Sequence, residues 1–165
     1  MKIKSLCAIV ALAASPAFAD SHAMTFQGDV ANGEEQFNRQ CVACHVVKND
    51  DGETLAGRNG RSGPNLFAMA GRTLGTVDGF RYGKSIVEAG ELGAIWTEEN
   101  FVGYLQDPTN WLREKLDDKK ARAKMSARVR KADDAYDIFA YVATFTDPTA
   151  LKTALDGAAQ AEINN

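Results

Sequence analysis

Apolar residues recur at intervals of three and four in several parts of the chain, which is the spacing of one face of an α-helix. The first such segment follows Asp29, a residue type that caps helix N-termini. Its apolar face comprises, in order, Val30, Gly33, Phe37, Cys41 and Cys44. The pattern predicts a helix that carries both cysteines inward beside Phe37.

Two further helices are predicted in the middle of the chain, where capping residues mark their ends. The first begins after the cap Thr97 and stops at Asp107-Pro108. Two acidic residues lie near its positive end, where they are favourable, Glu98 and Glu99. A short helix then opens at Pro108, a residue type that suits the first turn, and includes Trp111 and Leu112.

The last strong periodicity lies near the C-terminus. Either Asp133 or Asp134 is expected to cap this helix, and Asp147-Pro148 to end it. Its apolar stripe comprises Ile138, Tyr141, Val142 and Phe145. The residues after Pro148 form an Ala-rich, weakly amphipathic extension whose role the pattern does not indicate.

No segment alternates apolar and polar residues over the length of a strand, so no sheet is predicted and the fold class is all-α. Residues 48–82 hold seven glycines, too many for regular structure: Gly52, Gly57, Gly60, Gly63, Gly71, Gly75 and Gly79. A loop of this length inside a compact domain is usually functional. We therefore expect several helices joined by Gly-rich loops that wrap around something.

The first 19 residues have the three parts of a secretory leader. Lys2 and Lys4 precede an apolar run over residues 6–14, and residues 17–19 are a small-residue cleavage site. The run is too short for a transmembrane helix, which needs about 20 apolar residues. We expect cleavage after Ala19, export to the periplasm, a folded domain over residues 20–146 and an extension over 147–165.

The composition is that of an ordinary globular protein, with 165 residues of which 45% are apolar and 25% charged. The formal net charge of -3 argues against a nucleic-acid binder, which normally shows a basic total or a basic face. Cys7 lies in the leader, so the exported chain keeps Cys41 and Cys44. Disulfides form and persist in an oxidising compartment, so the role of these two thiols is the main chemical question.

Residues 41–45 read Cys-Val-Ala-Cys-His, which has the spacing of a covalent attachment site for c-type haem. Two thiols one helical turn apart can each add to one vinyl group on the same porphyrin edge, and the adjacent imidazole can reach the iron. A thioredoxin-like pair would belong to a βαβ unit, and no strand pattern is present. A zinc site needs four ligands, and beyond the motif the exported chain offers only the remote His22. The motif therefore predicts one covalently bound haem c.

The second axial position of the iron could be filled by Met24, Met69, Met125 or His22, or could stay open. A methionine sulfur raises the reduction potential of a c-type haem. Methionine is by default a filler of apolar cores. Met125 lies in a polar segment, residues 122–126, with poor core character, so iron ligation is the preferred interpretation of Met125.

From Gly28 to Phe145 the chain resembles the class I cytochromes c, most closely the bacterial cytochrome c2 type. The landmarks occur in the order of the family and are Gly28-Asp29, Ser62-Gly63-Pro64-Asn65-Leu66, Gly71-Arg72, Trp96-Thr97-Glu98-Glu99, Leu116-Asp117-Asp118-Lys119-Lys120 and Lys124-Met125. The resemblance implies the class I cytochrome c fold around one haem, attached through Cys41 and Cys44 and ligated by His45 and Met125. It also implies an electron carrier and not an enzyme.

The resemblance assigns further roles around the haem. Pro64 would accept the Nδ1 proton of His45, which fixes the ring and raises its basicity. Tyr104 would lie beside the sulfur of Met125. Groups near the haem propionates, where donors offset partly buried carboxylates, would be Arg72, Tyr82 and Trp96. Plain core packing is the alternative for Tyr82 and Tyr104, each taken alone.

Other features of the family concern packing and the haem edge. Gly33 and Phe37 would pack on the C-terminal helix near Tyr141. The family often has Thr two residues before the methionine and an aromatic residue two residues after it, whereas this chain has Ala123 and Ala127. Loss of those groups is expected to leave the haem edge more open and one propionate less well satisfied.

Residues 113–131 contain nine basic side chains and three acidic ones. The basic region is defined here as Lys115, Lys119, Lys120, Arg122, Lys124 and Arg128. A charge run is usually a solvated face without a role. This one flanks Met125 and hence the haem edge, so we expect it to steer the protein onto acidic partners.

The resemblance also implies the partners of the carrier. A membrane cytochrome bc complex would be the electron donor, and a reaction centre, terminal oxidase or nitrogen-oxide reductase the acceptor. We expect a monomer that binds no nucleic acid. The rival hypothesis is a haem protein with an open sixth site that acts as a ligand sensor or peroxidase.

Overall fold

The computed structural model describes residues 25–163, so the leader, His22 and Met24 lie outside the described residues. The described part of the chain forms six helices and one small sheet. The helices are α1 (Val30–Gln40), α2 (Lys84–Glu91), α3 (Glu98–Gln106), α4 (Pro108–Leu116), α5 (Ala132–Ala143) and α6 (Pro148–Ile163). Between α1 and α2 the strands are β1 (Val46–Lys48) and β2 (Thr54–Gly57). None of the described helices is long and apolar enough to cross a membrane.

Helices α1 and α5 pack tightly against each other because glycine lets their backbones approach. A Cβ at Gly33 would lie 1.9 Å from the carbonyl oxygen of Asp137, so no other residue fits there. The rings of Phe37 and Tyr141 lie 5.5 Å apart at the same contact. The predicted packing of Gly33 and Phe37 beside Tyr141 is therefore present.

A buried carboxylate locks this helix pair. Asp137 on α5 accepts hydrogen bonds from the backbone N–H of Asp29 at 2.6 Å and from the Asn32 side-chain amide. Both donors belong to the N-terminus of α1, where backbone N–H groups lack helical partners and negative charge is favourable. Asp137 thus fixes the start of α1 against the middle of α5.

Three predicted helix starts are confirmed by side-chain caps. Asp29 accepts from the N–H of Asn32 at 2.7 Å, Thr97 from Asn100 at 3.1 Å and Asp107 from Asn110 at 3.1 Å. The predicted cap of α5 is wrong, because Lys131 is its N-cap. The acidic pair occupies the first turn instead, next to the positive end of the helix, and comprises Asp133 and Asp134.

The expectation that the chain has no sheet is also wrong. Strand β1 pairs antiparallel with β2, with Val46 opposite Gly57 and Val47 opposite Ala56. The strands have three and four residues, too few to show the alternation that would reveal them in the sequence. The fold remains mainly helical, with helix α2 as a further element that the sequence pattern did not predict.

The cysteines do not extend the apolar face of α1 as expected. The helix ends at Gln40, Cys41 is its C-cap, and Cys44 lies in the turn that follows. Cys41 is half-buried and Cys44 is exposed, and the two are not joined by a disulfide. Cys41 still packs against the apolar core, and both cysteines line a cavity described below.

Candidate functional site

A cavity of about 880 Å³ lies between the residues 41–45 turn, the Gly-rich loop and the segment before α5. Its size is that of a site for a small molecule or cofactor. Two groups of segments contribute to its lining. The histidine wall is defined here as residues 41–45 and 60–64, and the methionine wall as residues 122–129, of which 124–129 line the cavity. All nine predicted cofactor-binding residues line this cavity: Cys41, Cys44, His45, Pro64, Arg72, Tyr82, Trp96, Tyr104 and Met125.

The imidazole of His45 is held by the backbone of the histidine wall. Its Nδ1 lies 2.9 Å from the carbonyl oxygen of Pro64, so Nδ1 carries the proton and Nε2 keeps its lone pair. A Cβ at Gly63 would lie 2.3 Å from Cε1 of the ring, so glycine is required beside the imidazole. Burial lowers the pKa of His45, although the Pro64 contact opposes this shift. A neutral imidazole is the form that binds a metal ion.

Backbone contacts also hold the cysteine turn in place. The N–H of Gly63 donates to the carbonyl of Cys44 at 2.8 Å, and a Cβ at Gly60 would lie 2.5 Å from the carbonyl carbon of Cys44. Burial, with a smaller contribution from Cys44, raises the pKa of Cys41 to about 12. Cys41 is therefore a neutral thiol at the cavity and Cys44 an accessible one.

Arg72 lies in the cavity lining and ties down the loop next to it. Its guanidinium donates to the carbonyls of Phe67 at 2.9 Å and Asn65 at 3.2 Å. Burial lowers the pKa of Arg72. A cation with two backbone partners and a cavity-facing position is suited to an anionic group of a bound molecule.

Aromatic side chains form the apolar part of the lining. The Trp96 ring packs edge-on against Tyr104 at 5.3 Å and Phe101 at 6.0 Å. Burial raises the pKa of Tyr104 to about 12, with a further contribution from Tyr82. Burial likewise raises the pKa of Tyr82. Both phenols are therefore neutral, and they bring hydroxyl groups into an otherwise apolar cavity.

The methionine wall has no regular structure and is held by polar tethers. The N–H of Arg122 donates to Ser85 Oγ at 3.2 Å, and the N–H of Ala123 donates to Thr109 Oγ1 at 3.3 Å. The Nζ of Lys124 donates to the carbonyl oxygen of Arg81 at 2.6 Å. These bonds fix the chain before Met125, and after it the N–H of Val129 donates to the carbonyl of Leu105 at 2.9 Å.

Met69 and Met125 both line the cavity, so proximity alone does not separate the two candidate ligands. Met69 is 1% exposed and belongs to the central apolar core, which is the usual role of methionine. Met125 is half-buried within an otherwise largely exposed segment. Its surroundings match those expected of a ligand that lies at a haem edge.

The sequence analysis missed several positioning residues of this site. Gly60 was counted only as part of a loop and Gly63 only as a loop residue within a family landmark, although each permits a close approach to the haem-attachment motif. The tethers from Ser85, Thr109 and Lys124 carried no signal, because each joins residues that are remote in sequence or uses a side chain that is common on surfaces.

The lining fits a covalently attached haem by its chemistry. It combines two thiols, an imidazole with its Nε2 available, a thioether and a buried guanidinium around an apolar cavity. Across residues 25–163, no group of three or more His, Cys, Asp and Glu side chains is placed to hold a metal ion directly.

Similarity to known proteins identifies the family. No protein-family model matches the chain. Cytochrome c2 of Rhodovulum adriaticum is 56% identical over 117 residues, which are 71% of this chain and 92% of that protein. Cytochrome c2 of Cereibacter sphaeroides is 46% identical over 142 residues, or 86% of this chain and 93% of that protein. The crystal structure of cytochrome c2 from Rhodobacter sphaeroides is 45% identical with a TM-score of 0.71, and the match covers 74% of this chain and 100% of that one.

These relatives are electron carriers and not enzymes, and each cytochrome c2 carries one covalently bound haem c. The fold, the order of the landmarks and the chemistry of the cavity all agree with that description. The chain belongs to the cytochrome c2 family of class I cytochromes c.

Proposed function

We propose that this protein is a periplasmic carrier of single electrons whose haem is bound through Cys41 and Cys44 and ligated by His45 and Met125. The observation that carries the proposal is the shared cavity, which is lined by all four of these side chains. When bound, a c-type haem supplies an iron that gains or loses one electron. The leader predicted for residues 1–19 supports export, which also suits covalent retention of a cofactor.

The remaining residues of the lining hold and shield the cofactor. The carbonyl of Pro64 keeps the proton on Nδ1 of His45, so that Nε2 faces the metal position. Arg72, Tyr82 and Trp96 are the donors for the propionates. Tyr104 supports the thioether of Met125. If His45 and Met125 both ligate the iron of a bound haem, small oxidants would find no open coordination site, and the chemistry would be confined to electron exchange.

Identification of the sixth ligand is the decisive test of this proposal. Met125→Ala is expected to abolish the long-wavelength absorption band of ferric haem bound to methionine sulfur and to allow rapid carbon monoxide binding after reduction. Met69→Leu is the matched control, because Met69 lines the same cavity but packs in the core. A wild-type protein that lacks the band and binds carbon monoxide rapidly would instead support the open-site sensor or peroxidase.

The basic region is proposed as the docking surface for a membrane cytochrome bc complex and for an acceptor of the reaction-centre, oxidase or nitrogen-oxide reductase class. All six side chains are exposed, but they are not equivalent. Lys124 is bonded to the Arg81 carbonyl, and Arg128 forms a salt bridge of 3.1 Å with Asp107. Lys119 and Lys120 are therefore the most suitable positions for a test that leaves the cavity intact.

Replacing Lys119 and Lys120 together by Glu is expected to slow association with a purified bc complex by about tenfold at low salt, with little effect at high salt. The control variant places Glu at Arg39 and Lys48, which changes the net charge equally outside the basic region. Stopped-flow kinetics measure the association rate. Equal slowing in both variants would mean that net charge, and not this surface, governs docking.

A further inference from the structure

The proposed electron-carrier role does not explain the presence of α6, although this helix has a defined start and packs at a defined place on the protein. Asp147 caps it, because its side chain accepts from the N–H of Ala150 at 2.8 Å and its carbonyl accepts from the N–H of Leu151 at 2.9 Å. Directly before the cap, the carbonyl of Phe145 accepts from the N–H of Ala68 at 3.2 Å. The chain thus enters α6 while bonded to the Gly-rich loop.

The two faces of α6 differ in what they contact. Leu151 is 2% exposed and belongs to the central core, and Leu155 packs partly against that core one turn later. The opposite face is solvated and carries the exposed pair Lys152–Asp156, with 2.6 Å between Nζ and Oδ2. Because the apolar face is already covered by the body of the protein, the helix serves this domain and does not offer a docking stripe.

Helix α6 packs on the outer side of the cavity lining. At Gly71, which has φ +75°, a Cβ would lie 3.0 Å from both Ala154 Cβ and Leu151 Cδ1. Gly71 belongs to a segment of the loop, residues 66–72, that lines the cavity with Leu66, Met69 and Arg72. A single layer of chain therefore separates α6 from the candidate haem site.

Backbone hydrogen bonds hold this segment on its other sides. The N–H of Leu66 donates to the carbonyl of Val46 on β1 at 2.9 Å, and the N–H of Gly71 donates to the carbonyl of Trp96 while the N–H of Trp96 donates to the carbonyl of Arg72, each at 2.9 Å. The guanidinium of Arg72 bonds to the carbonyls of Phe67 and of Asn65, directly before the segment. None of these bonds involves α6, so the contribution of α6 is its apolar contact over Gly71 on the outer side of the segment.

We propose that α6 is a brace that holds residues 66–72 against the cavity, with Leu151 as the main positioning residue for Arg72 and Trp96. The effect on the haem rests on the proposed function, whereas the bracing itself does not. Loss of the apolar contact with α6 removes the support on the outer side of residues 66–72. Their hydrogen bonds to Trp96 then loosen, and water can approach the cavity.

Amide hydrogen exchange in the full-length holoprotein tests the bracing directly. In Leu151→Ala, exchange at the N–H groups of Gly71 and Trp96 is expected to accelerate by about tenfold or more, because opening of this segment becomes easier. Exchange at Gly33 in α1 is expected to stay unchanged. Lys152→Ala on the solvated face is the matched control. Uniform acceleration across the protein, or none at Gly71, would overturn the proposal.

The reduction potential tests whether the brace acts on the haem. Leu151→Ala is expected to lower the potential relative to Lys152→Ala, because water near the iron favours the more highly charged oxidised state. Leu155→Ala is expected to give smaller shifts of the same sign and serves if Leu151→Ala yields too little holoprotein. Faster exchange with an unchanged potential would overturn the positioning role, and this outcome is independent of which residue supplies the sixth ligand.

Discussion

The two walls of the cavity are built on different principles. The histidine wall is packed backbone against backbone, with Gly60 and Gly63 where any side chain would collide with the residues 41–45 turn. The methionine wall is an irregular segment tied by side chains that reach across to α2, α4 and the Gly-rich loop. The comparison teaches that the position of one proposed ligand, His45, is set by steric exclusion, whereas the chain before the other, Met125, is held by a few exchangeable hydrogen bonds. The following predictions test that contrast.

The largest effect is expected when a methyl group is added to the histidine wall, compared with one added beside the methionine wall. Gly63→Ala puts a Cβ 2.3 Å from the His45 ring and is expected to reduce the yield of holoprotein by about tenfold or more, since the ring has to leave its seat. Gly83→Ala is the control beside the methionine wall, where the nearest atom is Lys124 Cγ at 3.4 Å. Haem absorbance per protein measures both. Equal yields would contradict the steric account of the histidine wall.

A smaller loss is expected when the frame behind the histidine wall is weakened. Asp137→Ala removes the acceptor of two hydrogen bonds at the start of α1 and is expected to lower the free energy of unfolding by about 2 kcal/mol. Asp133→Ala, in the exposed first turn of α5, is expected to lower the free energy of unfolding by only about 0.5 kcal/mol. Denaturant titration gives both values. Comparable losses would show that Asp137 acts through helix charge alone.

The backbone tethers of the methionine wall are each expected to contribute about 1 kcal/mol. Thr109→Val keeps the shape of the side chain but leaves the N–H of Ala123 without its acceptor, and Ser85→Ala does the same to Arg122. Carbon monoxide is expected to bind the reduced variants several-fold faster, because Met125 leaves more often. Ser126→Ala, at an exposed position of the same wall, is the control. Unchanged binding rates in the two tether variants would mean that the wall is held elsewhere.

The smallest effect is expected at the exposed tether. Lys124→Met keeps the apolar stem but removes the donor to the Arg81 carbonyl, and is expected to cost about 0.5 kcal/mol. The same carbon monoxide kinetics should show a slight acceleration. A change as large as that of Thr109→Val would place Lys124 among the principal supports of the methionine ligand.

Local signals in the sequence predicted what is local in the structure. The caps Asp29, Thr97 and Asp107 act within three residues, and the turn that holds Cys41 and Cys44 follows a helix whose start was predicted. The cap of α5 was placed wrongly because an aspartate favours the first turn as well as the cap. The haem-attachment motif was readable because its chemistry depends on spacing alone.

The missed features depend on contacts between remote segments. Helix α2 begins at Gly83, which offers no side-chain cap, and its eight residues are too few for a clear periodicity. The β1–β2 pair was missed because its strands have only three and four residues, whereas the packing of α6 on Gly71 joins segments that are distant in the chain. The Pro64 contact with His45 was implied by the family resemblance, since no pattern within this sequence joins the two residues.

The tethered construction of the methionine wall has a consequence for how such a protein diversifies. The side chains at positions 122, 126 and 127 are exposed and make no hydrogen bond or salt bridge within the described part of the chain, so mutation can change their charges at little cost to stability. Under the proposed function, a lineage can thereby exchange one redox partner for another without altering the proposed iron ligands.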